Sequence, residues 1–257
     1  MTTPLYEHCP TTRFSDRAAD YVLHRPSYPS GAIDALLDGL RAPTVGAPIA
    51  ADIGAGTGIS ARLLADRGVR VIAIEPSQAM RDAAEPHELV EWRDAVAEAT
   101  GLSDAGVDLV LCAQSYHWFD PARACREFAR VLRPRGRLAL MWNDADESDR
   151  VARGYYDLVR AASGGAGPTS HRTNARDPTL APPFDSRAMK RLRFRNEQRL
   201  TREGLVGRAM SASYVPRRGD DAARLIEGLH ELHARHADAD ARVTLVYDVL
   251  VYLTERA

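Results

Sequence analysis

The feature that most constrains this chain is an alternation that begins near residue 49 and runs to about 143. Short β-type runs ("PIAADI", "VRVIAIE", "HELVEW", "GVDLVLCA", "RLALMW") are separated by stretches with helical spacing of apolar residues ("ISARLLADRG", "SQAMRDAAE", "PARACREFARVL"). Strands that return through crossover helices pair in parallel, so the pattern predicts a doubly wound α/β sheet. "RPRG" between the last helix and the fifth strand reads as a turn. Further on, "MKRLRFRNEQRLT" alternates like a strand and "RVTLVYDVLVYLT" makes a last one, for seven in a mostly parallel sheet. Helical stretches are expected at about 202–213 and 220–236.

The first strand runs into "ADIGAGTGIS", with Gly54, Gly56 and Gly58 at alternate positions and Asp52 two residues before them. A glycine-rich turn after a first strand brings backbone close to a nucleotide. A phosphate-binding P-loop is excluded, because it requires GxxxxGK[ST] and lysine occurs once in this chain, at Lys190. The dinucleotide pattern G-x-G-x-x-G fails at Ile59. A short-chain dehydrogenase would need a tyrosine four residues before its lysine, where Ser186 stands. What remains is Asp-x-Gly-x-Gly-x-Gly with Glu75 ending the second strand. An acidic residue there can accept hydrogen bonds from both ribose hydroxyls, across the carboxyl ends of the strands at the switch point of the sheet.

Composition narrows the partners. The 257 residues carry a formal net charge of −1 and 45% hydrophobic residues, an ordinary balance with no global field for nucleic acid or an anionic membrane. No stretch approaches the roughly 18 apolar residues of a membrane span. "MTTPLYEHCPTTRF" lacks the basic-then-apolar order of a signal peptide. Cys9, Cys112 and Cys125 are scattered with no CxxC and read as free thiols of a reducing compartment. The expectation is a cytoplasmic chain without nucleic-acid or membrane partners; nothing in it speaks to oligomeric state.

Six motifs stand in order along the chain: "FSDRAADYVLHRPSYP", "ADIGAGTGIS", "VIAIEPSQAM", "AEATGL", "VDLVLCAQSYHWFDPA" and "RVLRPRGRLALMWN". It resembles the class I S-adenosylmethionine-dependent methyltransferases, within them the small-molecule branch that includes trans-aconitate and farnesoic acid methyltransferases. The resemblance implies a Rossmann-like methyltransferase fold in a single domain. Residues 1–48 would form an α-helical N-terminal cap, 49–143 the cofactor-binding core, and 144–257 cap helices with the last two strands. It implies S-adenosyl-L-methionine as cofactor and S-adenosyl-L-homocysteine as product. Asp52 and the turn Gly54, Ala55, Gly56, Thr57, Gly58 would hold the methionyl part and Glu75, followed by Pro76, the ribose. Met80 would pack on the adenine, Ala97 and Glu98 would sit at its edge, and Gln114 would face the cofactor. Tyr21, Arg25 and Tyr28 would close over it, Arg25 being suited to the methionyl carboxylate. "RPRG" departs from the family's usual second glycine at Arg135.

"SYHWFD" follows the fourth strand, where ligands of such sheets meet their chemistry. Tyr116, His117, Trp118 and Phe119 form an aromatic cluster suited to a cation and to an apolar substrate wall. His117 is a candidate general base, since its pKa lies near working pH, although a carboxylate acceptor would need none. Trp118 joins it as the second candidate catalytic residue. The acceptor pocket is expected from residues 1–30, 143–186 and 202–217, with Tyr28, Tyr116 and Tyr214 as substrate contacts. The Gly/Pro/Ser-rich stretch 162–186 reads as a mobile loop or a lid.

Two clusters imitate metal sites. His230, His233 and His236 do not share one helix face and read as a solvated surface, and Asp144, Asp146 and Asp149 follow the fifth strand without metal. Three functions stay open on such a scaffold. Methyl transfer to a small acceptor, at a carboxylate or hydroxyl oxygen, leads. A cofactor-dependent reaction of another type such as a cyclisation, or cofactor binding without turnover, are the alternatives.

Overall fold

The computed structural model describes residues 22–40, 46–164, 178–212 and 214–256. Tyr21, Cys9 and most of the 162–186 loop lie outside the described residues. Strands β1 (Ile49–Ile53), β2 (Arg70–Ile74), β3 (Val90–Arg93), β4 (Val107–Ala113), β5 (Leu132–Ala145), β6 (Lys190–Leu200) and β7 (Val243–Glu255) form one sheet in the order β3-β2-β1-β4-β5-β7-β6. β1 to β5 run parallel, and β7 lies antiparallel between β5 and β6. The expected seven-stranded, mostly parallel sheet is present.

The central strands are apolar on both faces because helices cover both. α1 (Ser30–Leu37) and α2 (Ile59–Ala65) pack their buried residues with β1, β2 and β4 in one core. α4 (Pro121–Val131) covers the opposite face with Phe128 and Val131, against Trp142 of β5. Between them in sequence, α3 (Gln78–Asp82) is a single short helix carrying the buried Met80. α4 starts where local chemistry demands it. The Asp120 side chain accepts from the N–H groups of Ala122 and Arg123, and Pro121 fills the first turn. A third core joins α5 (Arg150–Ala162), α6 (Arg202–Met210) and α7 (Asp220–His236) to the Val243–Tyr247 end of β7. β6 is an edge strand, and Arg191, Arg193, Arg195, Glu197 and Arg199 occupy its exposed side. A charged edge of this kind resists pairing with another chain.

Two expectations change. "RPRG" does not divide helix from strand, since β5 begins before it at Leu132; it bulges out of the ladder where the register against β4 shifts between Val107 and Leu109. Arg135 takes the left-handed conformation (φ 64°) inside that irregularity, and its N–H donates to the Arg256 carbonyl at 3.1 Å. The described end of the 162–186 loop is no lid, because Leu180 and Phe184 are buried in the core beneath α4.

Residues 22–24 are helical, and 25–29 lead as an extended strap into α1. Side-chain amides of two strands hold the strap by its backbone. Gln198 Nε2 donates to the His24 carbonyl at 2.9 Å, and Asn143 and Asn196 Nδ2 donate to the Ser27 carbonyl at 3.2 and 2.8 Å. The strap thereby crosses the carboxyl ends of the strands, above the point where β1 and β4 part in opposite directions.

Candidate active site

A cavity of about 490 Å³ opens at that switch point, within the roughly 300–1,000 Å³ usual for a small-ligand site. Its floor is the glycine turn. Gly54, Gly56 and Gly58 all have positive φ (66°, 58° and 76°), which only glycine adopts without strain. Space forbids other residues at two of them. A Cβ on Gly54 would stand 2.7 Å from the Ser115 Cβ, and one on Gly58 2.9 Å from the Trp92 ring.

Glu75 closes the floor from the end of β2. One carboxylate oxygen accepts the Gly56 N–H and the other the Ser77 N–H, both at 2.9 Å. Burial raises its pKa, while these two N–H groups and the Arg81 charge pull it back. Each oxygen keeps acceptor capacity toward the cavity. Pro76, Met80, Val96 and Ala97 continue from it as an apolar shelf, and Glu98 stands at its edge, accepting the Asp120 N–H at 2.8 Å. Gln114, the residue after β4, takes the left-handed conformation (φ 58°), with Nε2 donating to the Asn143 carbonyl at 3.3 Å. A non-glycine residue held there stores strain, a feature concentrated at functional sites.

Of the residues picked from sequence, Arg25, Tyr28, Gly54, Ala55, Gly56, Glu75, Pro76, Met80, Ala97, Glu98, Gln114 and Trp118 share this one wall. Six described ones do not. Asp52 is fully buried behind the turn, with Ser60 of the wall donating to its Oδ2 at 2.6 Å. Its Oδ1 has no hydrogen-bond partner, and burial, with a further push from the Glu75 charge, drives its pKa up to about 7. Thr57 is buried in the turn, and Gly58 faces Trp92 rather than the cavity.

The aromatic cluster divides. Tyr116–Trp118 is one 3₁₀ turn, in which successive side chains point about 120° apart, so they cannot all face one cavity. Trp118 and Phe119 line it. Tyr116 turns into the core, where its hydroxyl donates to the Thr179 carbonyl at 3.0 Å. His117 is buried as well, its Nδ1 accepting from Trp142 Nε1 at 3.4 Å. Phe119 serves both sides, since it also meets Phe128 edge-on at 6.4 Å between ring centres. Tyr214 packs against the third core instead of the cavity wall.

The sequence reading missed Ser60, Asn143 and, above all, Arg208. Arg208 lies in the last turn of α6, only 6% exposed, yet it borders the cavity. Nothing in "REGLVGRAM" marks it apart from any basic residue near a helix end. That position favours a cation by roughly 0.3–1 kcal/mol, well below the several kcal/mol that burying an ion costs. Across from it, Arg25 in the strap donates through Nη2 to the Ser211 carbonyl at 3.1 Å.

The two metal-like clusters have other employment. His233 is buried with Nε2 3.0 Å from the Ala241 carbonyl oxygen, so it is not part of a solvated face, while His230 is exposed. Asp149 caps α5, and Asp146 accepts from the backbone and hydroxyl of Ser148.

Comparison with known proteins agrees with this geometry. Residues 51–140 match the family model described as a methyltransferase domain. An uncharacterized methyltransferase of Mycobacterium tuberculosis is 44% identical over 137 residues, 52% of this chain and 53% of that protein. An uncharacterized methyltransferase of Schizosaccharomyces pombe is 34% identical over 154 residues, 59% of this chain and 61% of its own length. The chain thus spans about half the length of the curated relatives it matches. A solved structure from Anaeromyxobacter dehalogenans, proposed to be a type II methyltransferase, superposes with a TM-score of 0.69 at 25% identity, over 90% of this chain and 97% of that one. The glycine turn and its Glu75 acceptor thus lie within a stretch that matches a methyltransferase domain, in a sheet of the order β3-β2-β1-β4-β5-β7-β6.

Proposed function

We propose that the chain transfers the methyl group of S-adenosylmethionine to an oxygen of a small-molecule acceptor. The observation that carries this reading is the convergence, on one cavity, of the Glu75 carboxylate, the apolar shelf from Pro76 to Ala97 and the aromatic wall of Trp118 and Phe119. An acid and an apolar shelf suit a nucleoside, and aromatic faces suit a cation. When bound, S-adenosylmethionine supplies an electrophilic methyl group on a sulfonium. The residues of this chain then have to bind, orient and exclude water. Glu75 accepts from the ribose hydroxyls, Met80 and Ala97 hold the base, and Arg25 meets the carboxylate of the methionyl part. Trp118 and Phe119 wall the transfer zone, and the strap from Arg25 to Tyr28 covers it. In-line displacement needs positioning above all. A carboxylate acceptor is already ionised at neutral pH and requires no base, which accords with His117 standing behind the wall as a positioning residue. The small-molecule branch, with its trans-aconitate and farnesoic acid relatives, and a cytoplasmic setting belong to the same reading. No described helix is long and apolar enough to cross a membrane.

The test is product analysis by mass spectrometry with S-adenosylmethionine and a library of small acids and alcohols. Equimolar S-adenosylhomocysteine and a methylated acceptor are the expected products. Glu75→Ala should weaken S-adenosylhomocysteine binding by about 1.5–3 kcal/mol, the size of hydrogen bonds to a charged group. Conversion of the cofactor to anything else would point to a reaction of another type. Unchanged affinity in the variant would remove Glu75 from the site.

A further inference from the structure

Arg208 is a buried cation with no carboxylate partner among the described residues. It is 6% exposed, and its Nε makes no hydrogen bond. The groups acting on it are the phenols of Tyr155, Tyr156, Tyr214 and Tyr247. Phenols at neutral pH carry no charge, and burial holds those of Tyr155 and Tyr156 protonated still further. A guanidinium cannot shed its proton, and buried charges in proteins are paired. Arg208 borders the cavity, so a counter-charge carried by a ligand can reach it from there.

Its position in the chain sets it apart from the parts that face a nucleoside. The methyltransferase-domain match ends at residue 140 and contains the turn, Glu75, Met80 and Ala97, the parts that face a nucleoside. Arg208 belongs to α6, beyond that match, on the cover of the cavity. We propose that Arg208 anchors an anionic group of the methyl acceptor, a carboxylate or a phosphate, so that the substrates are small organic anions. This rests on the methyl-transfer reading. The planar fork of arginine matches either oxyanion with two parallel hydrogen bonds. The tyrosines around it keep water from screening the charge.

The test uses the full chain saturated with S-adenosylhomocysteine, titrated calorimetrically with benzoate, adipate, phenyl phosphate and inorganic phosphate, and with benzamide as the neutral control. At least one anion should bind where benzamide does not, and the preferred series identifies carboxylate or phosphate. Arg208→Met, which keeps the length of the side chain without its charge, should weaken that anion by about ten- to hundredfold. S-adenosylhomocysteine affinity should stay within about threefold, set against the tenfold that one lost charged contact produces. Should Arg208→Met fail to fold, Arg208→Lys carries the test, with anion affinity expected to fall about tenfold as the fork is lost. Absence of anion binding, equal anion affinity in the variant, or a tenfold loss of S-adenosylhomocysteine affinity instead would each overturn the assignment. Titration without S-adenosylhomocysteine separates the two readings, because a chain that never binds that ligand loses the methyl-transfer reading while its anion response still reports on Arg208.

Discussion

Asp52 is the only ionisable side chain of β1, and it is fully buried with one oxygen unpartnered. Its pKa, displaced from 3.8 to about 7, records that cost. Because the folded value lies above the unfolded one, the associated stability is complete below the ordinary carboxylate pKa. It is lost as pH rises through about 7. A shift of this size corresponds to roughly 4 kcal/mol. Denaturant melts between pH 4 and 7.5 should therefore show the native chain losing stability relative to Asp52→Asn, which keeps an acceptor for Ser60. Parallel pH profiles of the two proteins would mean that Asp52 pays no such penalty. At this scale the sequence spoke clearly about residues whose role is local. Gly54 and Gly58 follow from backbone geometry within one strand–turn–helix unit, and Glu75 from its place at the end of the next strand. It was silent about Arg208, whose role comes from what surrounds it rather than from its neighbours in the chain.

Among the elements, the strap and α6 meet at a contact that yields a sign reversal. Glycine inside an exposed helix costs about 1 kcal/mol against alanine. At Gly207, however, an added Cβ would collide with the His24 ring. Gly207→Ala should push the strap off α6, loosening the hydrogen bonds to the His24 and Ser27 carbonyls. Hydrogen exchange across residues 22–29 should accelerate, and S-adenosylhomocysteine affinity should fall about three- to tenfold, the equivalent of roughly one lost net hydrogen bond. A variant that is more stable with unchanged exchange would show that the contact yields freely. The alternation over 49–143 was legible because each helix and strand there announces itself by period. "RPRG" was misread as a turn because Pro134 and Gly136 are turn residues locally. β5 nonetheless starts before them at Leu132, and pairing on either side, Leu132 with Val107 and Arg137 with Leu109, leaves the segment as a bulge within the strand.

For the molecule as a whole, three cores on one sheet meet at the cavity, so a ligand seated there bridges elements from all of them. S-adenosylhomocysteine at a hundred times its Kd should stabilise the fold by about 2.7 kcal/mol. For a chain of this size that is a rise in Tm of about 5–10 °C. NAD(H) should leave Tm unmoved, and an equal rise with both would contradict the nucleotide assignment.

Sequence alone determined the sheet class, the glycine turn and its acid, because each depends on periodicity or on backbone conformation within a few residues. It also named about half of the wall, through the order of motifs. Only the tertiary structure decided which face each aromatic residue of "SYHWFD" takes, since a 3₁₀ turn sends consecutive side chains in different directions. Tertiary structure alone also withdrew Asp52 behind the turn and enclosed Arg208 among tyrosines from α5, β7 and the segment after α6. Burial and pairing are properties of three dimensions. A charge looks the same in the sequence whether water or an empty cavity awaits it.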